Sequence, residues 1–116
     1  MPPATPNTVR NARYDAPALI AFAQSLLTQA GMPQDRARDV ADILVEADLL
    51  GHDTHGLQLL PTYLQHIEAG HMKLKGEPIT LADHGAVVTW DGQSLPGPWL
   101  VLRAMELATK KAKAYG

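Results

Sequence analysis

Two histidines, an aspartate and a threonine stand in four consecutive positions, from His52 to His55, in a sequence of 116 residues. An imidazole gains and loses its proton near neutral pH, so a histidine beside a hydroxyl or carboxylate group has the chemistry of a general acid or base. Gly51 precedes this polar segment and Gly56 follows it. The segment is therefore the first candidate for a functional site.

Amphipathic helices are predicted on both sides of this segment. Upstream, apolar residues recur at helical spacing, and Gly51 occupies the position of a left-handed C-terminal cap. Downstream, a second stripe of the same period begins, and either Asp53 or Thr54 is expected to cap its first turn. His55 would then lie at a helix N-terminus, where the helix dipole favours anions and the neutral imidazole. The upstream stripe comprises Ala37, Val40, Ala41, Leu44 and Val45, and the downstream one comprises Leu57, Leu60, Leu64 and Ile67.

The local pattern by itself leaves a structural turn open as an alternative to a functional site. Aspartate and threonine are ordinary helix caps, and histidine is common in turns. His52 and His55 are three residues apart, but no third metal ligand is recognisable, so we predict no metal site. Nucleophilic catalysis by Thr54 is also disfavoured, since it would need an orienting acid and an oxyanion hole.

A longer stretch, from Glu46 to Gly70, reads EADLLGHDTHGLQLLPTYLQHIEAG. It resembles the N-terminal signature of the malate/L-lactate dehydrogenase family, which is unrelated to the Rossmann-fold lactate dehydrogenases. That family shows an acidic residue, Leu-x-Gly-His-x-Ser-His-Gly, and then Arg-x-Pro-x-Tyr. The later segments WDGQSLPGPW and AMELATKKAKAYG resemble the family's Asp-Gly strand end and its following helix. The resemblance covers nearly all of the chain after the first dozen residues.

The resemblance implies an NAD(P)-dependent oxidoreductase of a small 2-hydroxy acid or 2-oxo acid, or of a cyclic imino acid in some branches. His55 matches the family's active-site histidine, and Thr54 replaces the neighbouring serine; together with Asp48 they form the predicted catalytic group. His52 and Tyr63 are predicted to bind substrate. The resemblance also implies a homodimer, and NAD or NADP bound mostly by sequence absent from this chain, so no cofactor-binding residue is predicted here.

At Leu59 the sequence departs from the family pattern, and for Asp48 and Tyr63 two interpretations are open. Leu59 stands where many family members have an arginine that faces the substrate carboxylate, and leucine cannot form that bidentate contact. Asp48 enters an apolar stripe, so it either caps or pairs near the turn or orients His52 or His55. Tyr63 either points its hydroxyl toward the site or packs in the core with a hydrogen-bonded tip.

Capping residues and proline predict the helices around the site. Asp15 should cap the first helix and Gly31 should end it. Pro61 should kink or restart the third helix, because proline cannot donate a backbone hydrogen bond. The predicted buried face of the first helix is Leu19, Ile20, Ala23, Leu26, Leu27 and Ala30, and a solvated face of the second comprises Asp35, Arg36, Arg38 and Asp39.

Two strands, 79–82 and 86–90, are predicted to form a hairpin in which Gly85 takes the left-handed position. A last helix should run from about Pro98 to a solvated, lysine-rich end. The predicted fold class is therefore α+β and helix-rich, with three N-terminal helices, a β-hairpin and a C-terminal helix. Because a lone hairpin is marginally stable, and by the resemblance, we expect a fragment of a larger non-Rossmann α/β dehydrogenase fold.

The chain is expected to divide into a flexible N-terminal arm over 1–14, a helical segment with the Asp-Thr-His-Gly turn over 15–70, and a hairpin with a helix over 71–116. The last part would start an incomplete central domain, so the chain alone is expected to be inactive. The alternative function is a non-catalytic helical interaction module derived from this family.

Composition excludes several classes of protein. A net charge of −2 with ten basic residues provides no stripe for nucleic acid, and no segment is apolar for long enough to cross a membrane. The absence of cysteine excludes disulfide scaffolds and thiolate sites. The N-terminal residues lack the apolar core of a signal peptide. We therefore predict a cytoplasmic protein.

Overall fold

A computed structural model of the chain describes residues 12–116. Most of the arm predicted over 1–14 lies outside this range. The described part has the predicted α+β order of three helices, an antiparallel hairpin and a fourth helix. None of its helices is both long and apolar enough to span a membrane. The elements are α1 (Ala16–Gln29), α2 (Gln34–Leu49), 3₁₀ turns at Asp53–His55 and Leu57–Leu59, α3 (Leu60–Glu68), β1 (Ile79–Asp83), β2 (Val88–Asp91) and α4 (Gly97–Tyr115).

Local signals define both ends of α1, as predicted. The Asp15 carboxylate accepts a hydrogen bond of 3.1 Å from the backbone N–H of Ala18, which satisfies one of the free donors of the first turn. Gly31 has a φ angle of +107°, a left-handed conformation that costs glycine little because it has no Cβ atom. The chain can therefore reverse and place α2 against α1.

The core lies where α1, α2 and α3 meet the start of α4. The predicted apolar stripe of α2 is fully buried, which confirms that face of the helix. On α1 only Ala23 and Leu27 are fully buried. The predicted face therefore points toward the core, but its other members are only partly buried. The buried cluster consists of Ala23, Leu27, Met32, Ala37, Val40, Ala41, Leu44, Leu60, Leu95 and Trp99.

A stacked pair of side chains joins α4 to α2. The Arg36 guanidinium lies 3.9 Å from the centroid of the Trp99 ring, and it forms an ion pair of 2.9 Å with Glu77. Arg103 approaches the same ring at 5.8 Å and bonds to Asp39 at 3.1 Å. The prediction that Arg36 lies on a solvated face is therefore wrong. The tryptophan that covers Arg36 is 63 residues away in sequence, beyond the reach of any helical periodicity.

The hairpin pairs β1 with β2 in antiparallel register, from Ile79 opposite Asp91 to Asp83 opposite Val88, with an irregularity between Thr80 and Ala82. Gly85 takes the predicted left-handed conformation, with a φ angle of +76°. The second strand begins two residues later than predicted. The carbonyl of Val87 accepts a hydrogen bond from the N–H of His84, and this bond draws residues 84–87 into the turn.

The end of α4 is attached to the hairpin turn by a surface ion pair. Lys111 Nζ donates to Asp83 Oδ1 at 3.0 Å, and the N–H of Gly85 donates to the same oxygen at 3.0 Å. The lysine side chain is only 16% exposed, so Lys111 departs from the solvated helix end that the sequence predicts, whereas Lys110 and Lys113 are exposed as expected. These two hydrogen bonds, that of Lys111 being the stronger influence, lower the pKa of the Asp83 carboxyl group.

Replacing Lys111 by methionine should move the pKa of Asp83 back toward its ordinary value. Because the folded-state pKa is lowered, the pair stabilises the fold above the unfolded-state pKa of about 3.9 and loses this effect as the pH falls through the folded-state value. The titration of the Asp83 carboxyl carbon by NMR measures the change. Lys110→Met removes the same charge one residue away and should leave Asp83 nearly unchanged; equal titration curves in Lys111→Met and the unmodified chain would contradict the assignment.

Candidate functional site

The C-terminus of α2 places the polar segment. Gly51 has a φ angle of +82°, and the N–H of His52 donates to the carbonyl of Ala47 at 2.8 Å. This bond, with that from Leu50 to Glu46 at 2.9 Å, satisfies carbonyls that the end of the helix would otherwise leave unpaired. The predicted glycine cap is confirmed, and it turns the chain sharply at the first histidine.

The polar segment itself is not the first turn of a helix. Asp53–His55 form a 3₁₀ turn, a second 3₁₀ turn follows, and α3 begins only at Leu60 with Pro61 in its first turn. A restart at Pro61 was predicted, and proline is tolerated there because the first helical N–H groups have no partner within the helix. The predicted position of His55 at a helix N-terminus is wrong, because the restart moves the helix five residues downstream.

The predicted caps, Asp53 and Thr54, form no side-chain cap hydrogen bond at the start of either the 3₁₀ turns or α3. A carboxylate from the preceding helix substitutes for them. Asp48 Oδ2 accepts a hydrogen bond of 2.9 Å from the backbone N–H of Leu57. Asp48 therefore binds the backbone of the turn, and among the described residues it forms no hydrogen bond with either imidazole.

Thr54 and His55 share a hydrogen bond of 2.9 Å between Oγ1 and Nδ1. A hydroxyl group both donates and accepts, so this bond persists whether Nδ1 carries a proton or not. With Nδ1 engaged, Nε2 is the nitrogen that remains to exchange a proton with a bound molecule. Both side chains are exposed, as proton exchange with a ligand requires.

His52 and His55 line one open depression of about 450 Å³ beside α2. Its wall is mainly apolar, with a single carboxylate. Sequence reasoning missed this wall, although its apolar members recur at spacings of four and three and form a second stripe beside the buried one. The other lining residues are Ile43, Glu46, Ala47 and Leu50.

Tyr63 and Leu59 lie outside the lining of this depression. Both are half-buried and pack against the core, and burial raises the pKa of the Tyr63 phenol. The structure therefore brings His52, Thr54 and His55 together, places Asp48 against the backbone of their turn, and directs Tyr63 into the packing of α3. For Tyr63 this arrangement favours the core alternative over the substrate-binding one.

The lining of the depression offers the phosphates of a dinucleotide no lysine or arginine. Its one acidic side chain, the Glu46 carboxylate, would repel a pyrophosphate. Among residues 12–116, no group of three or more histidine, aspartate or glutamate side chains is arranged to hold a metal ion. The depression has the size and donors for a small organic molecule that exchanges a proton with an imidazole.

Comparison with known proteins identifies the family. The family model described as malate/L-lactate dehydrogenase matches residues 14–116. Hydroxycarboxylate dehydrogenase B of Escherichia coli is 36% identical over 104 residues, which are 90% of this chain and 29% of that protein. Malate dehydrogenase of Pyrococcus horikoshii is 37% identical over 98 residues, which are 84% of this chain and 27% of that protein.

Solved structures agree with the sequence relatives. The structure of the malate dehydrogenase from Pyrococcus horikoshii superposes with a TM-score of 0.87 at 35% identity, over 90% of this chain and 30% of that one. Sulfolactate dehydrogenase from Methanocaldococcus jannaschii gives a TM-score of 0.83 at 30% identity, over 88% of this chain and 30% of that one. This chain thus spans less than a third of the length of these relatives. It belongs to the malate/L-lactate dehydrogenase family.

Proposed function

We propose that this chain supplies the proton-transfer histidine of an oxidoreductase that acts on a small 2-hydroxy acid or 2-oxo acid with NAD or NADP. The observation that carries the proposal is the bond between Thr54 and Nδ1 of His55 at the edge of an open depression. The dehydrogenase names of the relatives, for hydroxycarboxylates, malate and sulfolactate, support the same class of substrate.

His55 has one task in this reaction. When a 2-hydroxy acid is oxidised, the C2 hydroxyl proton passes to Nε2; a bound nicotinamide would supply the acceptor for the hydride that leaves C2. In the reverse direction, the imidazolium returns the proton to the C2 oxygen. Thr54 accepts from Nδ1–H both in the imidazolium and in the neutral form whose free Nε2 takes the proton, so the ring keeps its orientation through the cycle.

The substrate carboxylate needs a cation that the depression does not contain. Position 59 is leucine here and packs against the core, and Glu46 repels an anion. We propose that sequence beyond the described residues provides this cation together with most of the cofactor site. His52, the second imidazole of the depression, is the residue of this chain that we assign to the substrate.

The wider assignments follow from the same proposal. The helical segment 15–70 forms the substrate side, and 71–116 begins a central domain in a cytoplasmic homodimer. Exposed large apolar side chains of the hairpin and α4 support a larger assembly, because contiguous apolar surface on a protein often marks an interface. They are Ile79, Leu81, Val87, Val101 and Met105, each at least 51% exposed.

A hybrid enzyme tests the proposed role of His55. Residues 14–116 replace the matching part of hydroxycarboxylate dehydrogenase B of Escherichia coli, and turnover of 2-hydroxy acids is followed by NADH formation. His55→Ala should lower kcat by about 10²- to 10⁴-fold, the usual effect of losing a general acid or base. His71→Ala removes an exposed histidine outside the depression and should leave kcat unchanged.

Two results would contradict the proposal. The first is a hybrid in which His55→Ala retains full turnover. The second is a folded hybrid that binds NADH but turns over no hydroxy acid or oxo acid even with His55 intact. That second result would favour the alternative function, a non-catalytic interaction module, which the leucine at position 59 and the exposed apolar side chains also suit.

A further inference from the structure

The segment from His52 to Leu57 is attached at both ends to the last turn of α2. At its start, the N–H of His52 donates to the carbonyl of Ala47 at 2.8 Å. At its end, the N–H of Leu57 donates to the Asp48 carboxylate at 2.9 Å. Within the segment, the N–H of His55 donates to the carbonyl of His52 at 2.9 Å. The two imidazoles are thus carried on a small loop closed by adjacent residues of one helix.

Gly56 leaves the space that the Asp48 carboxylate occupies. A Cβ atom built on Gly56 would overlap Cγ and both oxygens of Asp48. Its φ angle of −95° lies outside the left-handed region, and the space for a side chain is filled by the Asp48 carboxylate. Gly56 is buried, although it lies in an otherwise exposed segment. The carboxylate and the glycine are therefore complementary parts of one contact.

We propose that Asp48 is a positioning residue that holds His55 over the depression through the backbone, by closing the loop at Leu57, and that Gly56 is the glycine this closure requires. Asp48 acts as a hydrogen-bond acceptor, not as a charge beside the imidazole. The catalytic consequence rests on the proposed function, whereas the closure itself is a property of this chain. The relevant distance is that between Asp48 Oδ2 and the nitrogen of Leu57.

Four variants separate this role from general destabilisation. Asp48→Asn keeps an oxygen that can accept from Leu57, Asp48→Ala removes it, Gly56→Ala adds the obstructing Cβ, and the double variant Asp48→Ala/Gly56→Ala adds that Cβ where the carboxylate is absent. Asp42→Ala removes another carboxylate of α2, one paired with Arg38, and serves as the matched control. Circular dichroism of each variant establishes that it is folded.

Two NMR measurements on this chain report the closure without any turnover. Protection of the Leu57 amide from hydrogen exchange should fall about 10- to 100-fold in Asp48→Ala and only about threefold in Asp48→Asn. The His55 ring signals should shift in Asp48→Ala and Gly56→Ala but stay near their original positions in Asp48→Asn and Asp42→Ala. In the double variant, the added Cβ should change the protection found in Asp48→Ala by less than about twofold.

The coupling between Asp48 and Gly56 tests the proposal. Gly56→Ala should reduce Leu57 protection in the unmodified chain and have almost no effect when Asp48 is already alanine. Equal losses in both backgrounds would overturn it, as would unchanged Leu57 exchange in folded Asp48→Ala. If the NMR results agree but His55→Ala leaves the hybrid enzyme active, the closure stands and the proposed function fails.

Discussion

Replacing Trp99 by alanine should lower the free energy of unfolding by about 3–5 kcal/mol, the range observed when a buried aromatic ring is truncated. The side chain is 4% exposed and belongs to the core at the start of α4. Its loss also removes the ring that covers the Arg36 guanidinium, whose Nη1 is buried and has no hydrogen-bond partner within the described part of the chain. The variant therefore creates a cavity and also removes the cation–π contact of a buried guanidinium group.

Urea denaturation followed by circular dichroism measures this change without relying on tryptophan emission. Trp90→Ala removes the other tryptophan, a half-buried residue of β2 that lines the open groove between the hairpin and α4. This variant should lower the free energy of unfolding by well under half as much as Trp99→Ala. Trp90 lies in an open groove, so its removal leaves no enclosed cavity. Equal losses for the two variants would show that the contact between Arg36 and Trp99 does not hold α4 to α2.

Replacing Leu44 by alanine should lower the free energy of unfolding by about 2–5 kcal/mol. Leu44 is 1% exposed on the inner face of α2, so truncation leaves a cavity that the neighbouring helices cannot fully close. Leu49→Ala is the matched control, since it makes the same chemical change on the same helix at a side chain that is 71% exposed. Its effect should stay within about 0.5 kcal/mol.

Thermal and urea denaturation of both variants test this difference. Leu44 lies one helical turn before Asp48. A loosened core should therefore also weaken the hydrogen bond by which Asp48 closes the segment from His52 to Leu57. A cost of less than about 1 kcal/mol for Leu44→Ala would mean that the core is less closely packed around α2 than native protein interiors are. In that case the position of Asp48 would not depend on the packing of its own helix.

Signals that act over a few residues were sufficient to predict most elements. Asp15 caps α1 because its carboxylate reaches an N–H three residues away, and Gly31, Gly51 and Gly85 mark positions where the backbone is left-handed. The apolar period of α2 identified its buried face, since the nearest helices cover that whole stripe. These predictions depend on contacts between neighbours in the chain, which sequence spacing describes directly.

Predictions failed where a partner came from elsewhere in the chain. Arg36 was expected in solvent and is covered by Trp99, and Lys111 was expected at a free helix end and bonds to Asp83. The caps assigned to Asp53 and Thr54 are replaced by the carboxylate of Asp48, which accepts from the N–H of Leu57 nine residues later. Each error has one physical cause: charged and polar groups take the best partner that the fold brings near, whatever its distance in sequence.

The sequence by itself determined the helices, the hairpin, the glycine turn after α2 and the family resemblance of the histidine segment, because helical period, capping and turn chemistry are local. Only the tertiary structure decided how that segment is used. It placed His52 and His55 on one depression, joined Thr54 to Nδ1 of His55, and seated the Asp48 carboxylate in the space left by Gly56. These contacts depend on the position of the end of α2 relative to the turn that follows it. The spacing of residues along the chain does not specify that three-dimensional position.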